Sequence, residues 1–494
     1  MKTRKTLPNI STFRASLLRT FSTSLLCTFM FGACLLSSCS DQTLKLSSSD
    51  KSIEATFAWA QGMAQSYAHE GEDPVGPWYE AALPERYAFC MRDASHQSIG
   101  AEILGLSAQN FNMMQKFASN ISESKDWCTY WEIDKWNNPC KADYVSDNDF
   151  WYNLNANFDV IDACWRLYEW TGDQRYLANE EFRRFYDLSC NEYVESWELK
   201  PEQMLTRSRK VNRKDGERFG LCRGIPSYVE SVGDMNSSAD FIGTAYGGFA
   251  AYSKILEQCD EMEGSALAAE KAEAYRHHLD KYWWSEEEQA YHTFWWNNGT
   301  FSDGEGLTHV LWFHAVNAPS RIRGTVEKMM KRKEWNIENI SYFPALWYRY
   351  GYSREAYEIL CNIVHAERKE YPEVSFGMIE GIVCGCMGIQ PSASSGKIVT
   401  LPQIVGEHWI QIDNLPVYDG LISVRHDSNT CSSFTNKTGY KKTWQAAFYG
   451  DYEHITVDGK QHQALKRQDA MGKTISYVEV TVGEGQSFRC EAGF

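Results

Sequence analysis

The chain has 494 residues, 49 of them basic and 65 acidic, with 14% aromatic residues and 18 Trp. Five basic residues fall in the first 38 positions, so the remainder carries a net charge near −21, which argues against nucleic acid and anionic membrane surfaces as partners. What remains beyond the first 38 residues exceeds what one core usually serves, about 250–300 residues, so two domains are expected.

The first 38 residues hold Lys2, Arg4, Lys5, Arg14 and Arg19 and no acid, followed by an apolar run from Leu25 to Leu36. That run is too short to span a bilayer and has signal-peptide dimensions. It ends in Leu36-Ser37-Ser38-Cys39, the small-residue approach to a Cys that a lipoprotein signal peptidase cleaves. Cys39 is therefore the expected lipidation site, and several acyl chains on one residue anchor firmly. The expected location is the cell envelope, lipid-anchored. Residues 39–53 read as a tether. No later apolar run reaches membrane length.

From about residue 54 to 389 the pattern is helical. The expected helices are 54–69, 94–104, 108–121, 150–170, 178–197, 237–259, 265–283, 306–316, 320–332, 341–350, 353–367 and 375–388. Several pairs are joined tightly, as at Thr171-Gly172-Asp173 and Tyr350-Gly351-Tyr352-Ser353. After Gln390-Pro391, short alternating strands separated by Asp-Gly, Asn-Lys-Thr-Gly and Gly-Glu-Gly turns predict a β-sandwich over 390–494. Twelve helices in hairpins suggest a mainly α fold, an (α/α)6 toroid with six inner and six outer helices. A solenoid of helical repeats would need a period of 34 or 40 residues, and none is visible.

If the inner helices begin near 94, 150, 237, 306, 341 and 375, the loops feeding them line one mouth. Those loops carry Arg92-Asp93, Trp131, Asp149, Trp151, Arg223, Tyr228, Asp234 and Glu373. Rings offer flat faces to sugar C–H groups, and carboxylates and Arg bind hydroxyls, so a saccharide pocket is the expectation. Asp93, Asp149 and Asp240 also suit plain helix capping, and Asp147 and Asp303-Gly304-Glu305 suit turns. Glu230 follows the Pro-stiffened Arg223-Gly224-Ile225-Pro226-Ser227-Tyr228, and Glu373 lies in a second stiffened loop, Tyr371-Pro372-Glu373. These two are the expected catalytic pair, since glycoside hydrolysis needs one carboxyl to protonate the leaving oxygen and another to activate water or attack carbon. Glu380, inside the last apolar helix, is a pocket group or a buried paired one. Cys128 and Cys140 are the first pair to test for a disulfide. No Cys/His spacing matches a zinc site, and no cofactor or metal is expected.

These residues also carry a resemblance. The helical region resembles the six-hairpin glycosidases, the superfamily of glucoamylases, trehalases and α-L-rhamnosidases. CMRDASHQSIG resembles the substrate-binding Arg-Asp at an inner-helix start. FWYNLNANFDVIDACWRLYEWTGD, RGIPSYVES and YPEVSFGMIEGIVCGCMGI resemble segments of six-hairpin proteins from polysaccharide-degrading Bacteroidetes, in which text like LPQI, ISVRHD and FTNKTG closes the chain. The resemblance implies a mostly inverting glycoside hydrolase, with an acid and a base and room for water between them. On the hydrolase reading of the residues, Glu230 is the acid, Glu373 the base, and Arg92, Asp93 and the loop Trp residues bind sugar. No intact glucoamylase, trehalase or rhamnosidase signature is present. Competing readings are a uronyl hydrolase or lyase, served by Arg92 and Arg223; a sugar epimerase, using His among His96, His292, His309 and His314; and a non-catalytic glycan-binding lipoprotein.

Overall fold

A computed structural model describes residues 43–208, 212–213, 222–230 and 234–493. The leader and Cys39 lie outside the described residues.

The helices are α1 (Lys51–Ser66), α2 (Met91–Ile103), α3 (Ser107–Ser119), α4 (Ala156–Thr171), α5 (Arg175–Ala178), α6 (Glu180–Cys190), α7 (Glu192–Ser196), α8 (Ala239–Gln258), α9 (Met262–Tyr282), α10 (Leu307–Trp312), α11 (Pro319–Lys331), α12 (Ile337–Arg349), α13 (Ser353–Asn362) and α14 (Pro372–Glu380). Helix α14 runs on into a π-type turn, Gly381–Cys386. Local chemistry sets several of their ends. Asp50 accepts from the backbone N–H of Ser52 and Ile53 at the start of α1, and Asn336 does the same from Asn339 at the start of α12. Pro372 occupies the first position of α14, where no donor is lost. Gly172 ends α4 with φ 70°, a left-handed conformation natural to Gly.

Six helices form a closed inner ring. Each packs on the next in the order α2, α4, α8, α10, α12, α14, and α14 returns to α2. The others form the outer layer: α3 against α2 and α6, α9 against α8, α11 against α10, α13 against α12, and α1 against α14 and α13. This is the (α/α)6 toroid. Glycines let the inner helices approach: a Cβ on Gly248 of α8 would meet Phe158 of α4 at 2.6 Å, and one on Gly377 of α14 would meet the Ser341 carbonyl of α12 at 2.6 Å. The core lies between the helix layers. Phe158 is fully buried there, 6.0 Å from Phe241 and 5.6 Å from Phe249.

The C-terminal strands form two sheets. One has seven strands, in the order Lys45–Ser48, Ile410–Val417, Gly420–Ser428, Cys431–Asn436, Ser487–Ala492, His454–Val457 and Lys460–Gln463. The other has five, in the order Gln390–Ser392, Lys397–Thr400, Lys442–Tyr449, Thr474–Val482 and Leu465–Gln468. Phe434 of the first stacks on Trp444 of the second at 5.4 Å. The sandwich seats against the toroid through the Trp170 indole, which donates to the Pro416 carbonyl, and through His426 against the Met387 carbonyl.

Three expectations need correction. The tether is partly a strand: Lys45–Ser48 pairs antiparallel with Ile410–Val417, Lys45 opposite Asp413 and Ser48 opposite Ile410. Four residues with one buried apolar side chain, Leu46, carry too little pattern to betray a strand. The fourth expected helix starts at Ala156, because Asp149–Phe150 and Tyr152–Asn153 are short strands pairing with Tyr144–Ser146 and Cys222–Ile225. Asp149 therefore caps no helix. Cys128 and Cys140 are separate, buried thiols.

Candidate active site at the mouth of the toroid

The N-terminal turns of α2, α8, α10 and α12 open on one cavity of about 150 Å3. Arg92 enters it from α2, His309 from α10, and Glu338, Asn339 and Tyr342 from α12. Tyr228 and Glu230 come from the loop before α8. Five of the six inner helices carry an acid in the first turn: Asp93, Asp159, Asp240, Glu338 and Glu373. Helix N-termini present unpaired N–H groups and a positive dipole end, which favour these anions. Burial opposes them, and for most of the ring it wins.

Tyr228 organises the cavity. Its backbone N–H donates to Asp240 at 2.8 Å, as does the Ser227 hydroxyl at 2.9 Å. Its own hydroxyl donates to Asp159 at 2.7 Å. Asp240 is therefore a scaffold group, tying the loop to the start of α8, whose cap is Ser238. Burial pushes Asp159 up to about 7 and Asp240 up to about 6.

Arg92 is the charge hub. Its Nε donates to Asp93 at 3.0 Å, its Nη2 lies 3.4 Å from Glu338, and its guanidinium sits over the Tyr228 ring at 5.6 Å. Burial works against its charge, but Asp93, Glu338, Glu373 and Glu230 more than compensate and hold it protonated. Glu230 stands at the solvent-open rim, yet enough protein surrounds its carboxyl that desolvation, opposed by Arg92, pushes it up to about 7. Glu373 is 2% exposed, and neither carboxyl oxygen finds a hydrogen-bond partner of normal geometry. Burial first, then the charges of Asp93 and Glu338, raise it well above the carboxylate range. Two carboxyls this close share a proton rather than both ionising.

The structure thus brings Arg92, Asp93, Tyr228 and Glu230 together as expected. Trp131 stands behind Tyr228, with ring centroids 6.5 Å apart. Glu373 neighbours Asp93 but is not among the residues lining the cavity. Five others lie elsewhere. Trp151 is buried with its indole donating to Asn153. Arg223 pairs with Asp126 at 2.8 Å, and Asp149 sits in its short strand. Asp234 is an exposed loop residue whose carbonyl accepts from Asn297. Glu380 is buried deeper in the ring, under the influence of Arg166 and Arg349. The lining residues Glu338 and Asn339 were not singled out in the sequence, because α12 begins four residues before the predicted start. The signal was there: Asn336 is a capping residue followed within three positions by Glu and Asn.

Among the described residues, one acid-rich group beside the mouth has metal-like spacing. The ligand atoms of Glu132, Cys140 and Asp143 lie within 4.8 Å of one another. Arg86 already supplies the positive charge, 2.5 Å from Glu132 and 2.9 Å from Asp143.

No family model matches the sequence, and no curated protein matches it significantly. Solved structures do match. An α-L-rhamnosidase from Dictyoglumus thermophilum superimposes with a TM-score of 0.61 at 14% identity, covering 92% of this chain and 50% of the other. This is a glycosidase-like fold. A family GH78 rhamnosidase of Bacillus sp. GL1 gives 0.55 at 10% identity, covering 81% of this chain and 41% of its own. A human-microbiome protein assigned as a kojibiose phosphorylase gives 0.52 at 10% identity, covering 90% and 68%. The chain spans about half the length of the rhamnosidases it matches, and at these identities the likeness is one of fold.

Proposed function

We propose that the protein is a glycoside hydrolase that cleaves a glycosidic bond at the toroid mouth. The observation that carries this reading is the placement of Glu230 and Glu338 in one cavity with Arg92. Glu230, with its raised pKa at an open rim, suits a general acid that protonates the leaving oxygen near neutral pH. Glu338 lines the same cavity and takes the role of base, accepting a proton from water as it attacks the anomeric carbon. This moves the base from Glu373, which is held protonated beside Asp93 and acts as a positioning group. Arg92 and Tyr228 bind the sugar, and Asp93 holds Arg92 in place. Inversion is the outcome expected of an acid and a water-activating base.

The carboxylate-rich mouth favours this over a purely glycan-binding role, since binding alone needs no pair of acids in one cavity. We further propose that Cys39 carries the lipid anchor and holds the chain at the cell envelope. Among the described residues no helix is long and apolar enough to cross a membrane. A panel of neutral aryl glycosides incubated with the purified protein tests the activity. Release of the aryl group from one of them is expected. Sugar binding without any turnover would instead establish the glycan-binding reading.

A further inference from the structure

Resting on the saccharide reading of the cavity, we propose that His309 selects the sugar: its imidazole donates one hydrogen bond and accepts another from hydroxyls of one uncharged sugar ring, so that the cavity takes neutral sugars and refuses uronates.

His309 lines the cavity and is 5% exposed, yet among the described residues neither ring nitrogen has a hydrogen-bond partner. Leaving two such atoms unpaired opposes folding, and a bound ligand that supplies the missing partners removes that opposition. The ring is held by its neighbours, 4.8 Å from the Tyr228 ring and 5.2 Å from that of Tyr342. His96 provides the contrast within the same ring of helices. It stacks on Tyr342, and its Nε2 is paired with Ser341 at 3.0 Å, so that among the described residues only its Nδ1 lacks a partner.

Burial, with Arg92 nearby, pushes His309 down to about 3, so the imidazole stays neutral. A neutral imidazole has one donor and one acceptor nitrogen. Hydroxyls match both. A carboxylate only accepts, so it can serve the donor nitrogen but not the acceptor one, which needs a hydroxyl. Charge points the same way. Among the described residues Arg92 is the one Lys or Arg in the lining and is already engaged by Asp93 and Glu338, while Glu230, Asp240 and Glu305 share the wall. A cavity of about 150 Å3 holds a single six-membered ring.

The test is binding of L-rhamnose, D-glucose, D-galactose, D-xylose, D-glucuronate and D-galacturonate to the mature chain by calorimetry, with wild type, His309→Gln and His309→Leu. At least one neutral sugar is expected to bind and both uronates to fail. His309→Leu is expected to lose about a hundredfold in affinity and His309→Gln, which keeps a donor and an acceptor, less than tenfold. Monodeoxy analogues of the bound sugar keep the test open if a variant fails to fold: on wild type, one of them is expected to lose about as much as His309→Leu does. The proposal is overturned if a uronate binds more tightly than every neutral sugar, if no neutral sugar binds, if His309→Leu binds like wild type, or if every deoxy analogue binds as well as its parent. Sugar binding that depends on His309 without turnover would sink the hydrolase reading alone. Turnover of a neutral glycoside unaffected in His309→Leu would sink this proposal alone.

Discussion

The two halves of the inner ring bury carboxylates in opposite ways. Deep in the ring, Glu380 of α14 lies under the influence of Arg166 and Arg349. Arg166 itself is tied to Asp162 and to the Ser95 carbonyl, each at 2.9 Å, and Arg349 donates to the Trp312 carbonyl at 2.7 Å. There, Glu380 and Asp162 sit beside cations. At the mouth, Asp93, Glu230, Glu338 and Glu373 share Arg92. The difference separates structure from chemistry. Matched charge in a buried place holds helices in register, whereas at the mouth Asp93, Glu230 and Glu373 are pushed toward their protonated forms, Glu230 up to about 7.

The comparison can be broken by exchanging the consequences of mutation in the two halves. The largest expected effect is on activity at the mouth. Glu338→Gln should lower kcat by about a hundred- to ten-thousandfold while leaving the melting temperature nearly unchanged; steady-state kinetics and calorimetry on one preparation check both. Next comes the deep half. Arg166→Ala leaves Glu380 and Asp162 without their shared cation and should cost about 3–5 kcal/mol of stability, read by denaturant unfolding, with the affinity for sugar in the surviving folded protein unaltered. If Arg166→Ala removed activity without destabilising the fold, the division of the ring would be wrong.

A smaller effect sharpens the contrast through pH. Asp159 has its pKa raised from 3.8 to about 7 by burial, so between those values the folded state holds a proton that the unfolded state releases. Its contribution to stability is therefore complete below about pH 4 and is lost as pH rises through 7. Asp159→Asn, which still accepts from Tyr228, should flatten that decline, with a gain over wild type at pH 8 relative to pH 4 on the order of 1–4 kcal/mol. Thermal unfolding at the two pH values measures it. An unchanged pH profile would mean that Asp159 ionises freely in the folded protein.

Much of the toroid was legible because helix hairpins leave local marks. Tight Gly turns and 3.6-residue apolar faces give helix number and alternation, and alternation alone puts all inner N-termini at one mouth. Tyr228 and Glu230 were legible for a related reason: a Pro-stiffened loop before a helix is a place where polar side chains are held still, and Arg92 stood out as half of an Arg-Asp pair entering a helix. The errors came where short-range pattern is ambiguous. The aromatic run Asp149-Phe150-Trp151-Tyr152 suits strand or helix, and only pairing with Tyr144–Ser146 and Cys222–Ile225 decides it. Arg223 read as a sugar ligand, but its partner Asp126 is distant in sequence. Glu380 is an acid in an apolar helix, and nothing local reveals that Arg166 and Arg349 face it. Ion pairs between remote helices belong to tertiary structure, so a carboxylate's role cannot be read before its partners are known.

The measurement that tests the central claim most directly is turnover by Glu230→Gln. Two glycosides of the same sugar are needed, one with a poor alkyl leaving group and one with an activated nitrophenyl group. A general acid matters most where the leaving oxygen must be protonated. The account predicts a loss of at least about a hundredfold on the alkyl glycoside, a much smaller loss on the nitrophenyl glycoside, and disappearance of the fall in kcat/KM above pH 7. Equal, small losses on both substrates with the pH profile intact would contradict it.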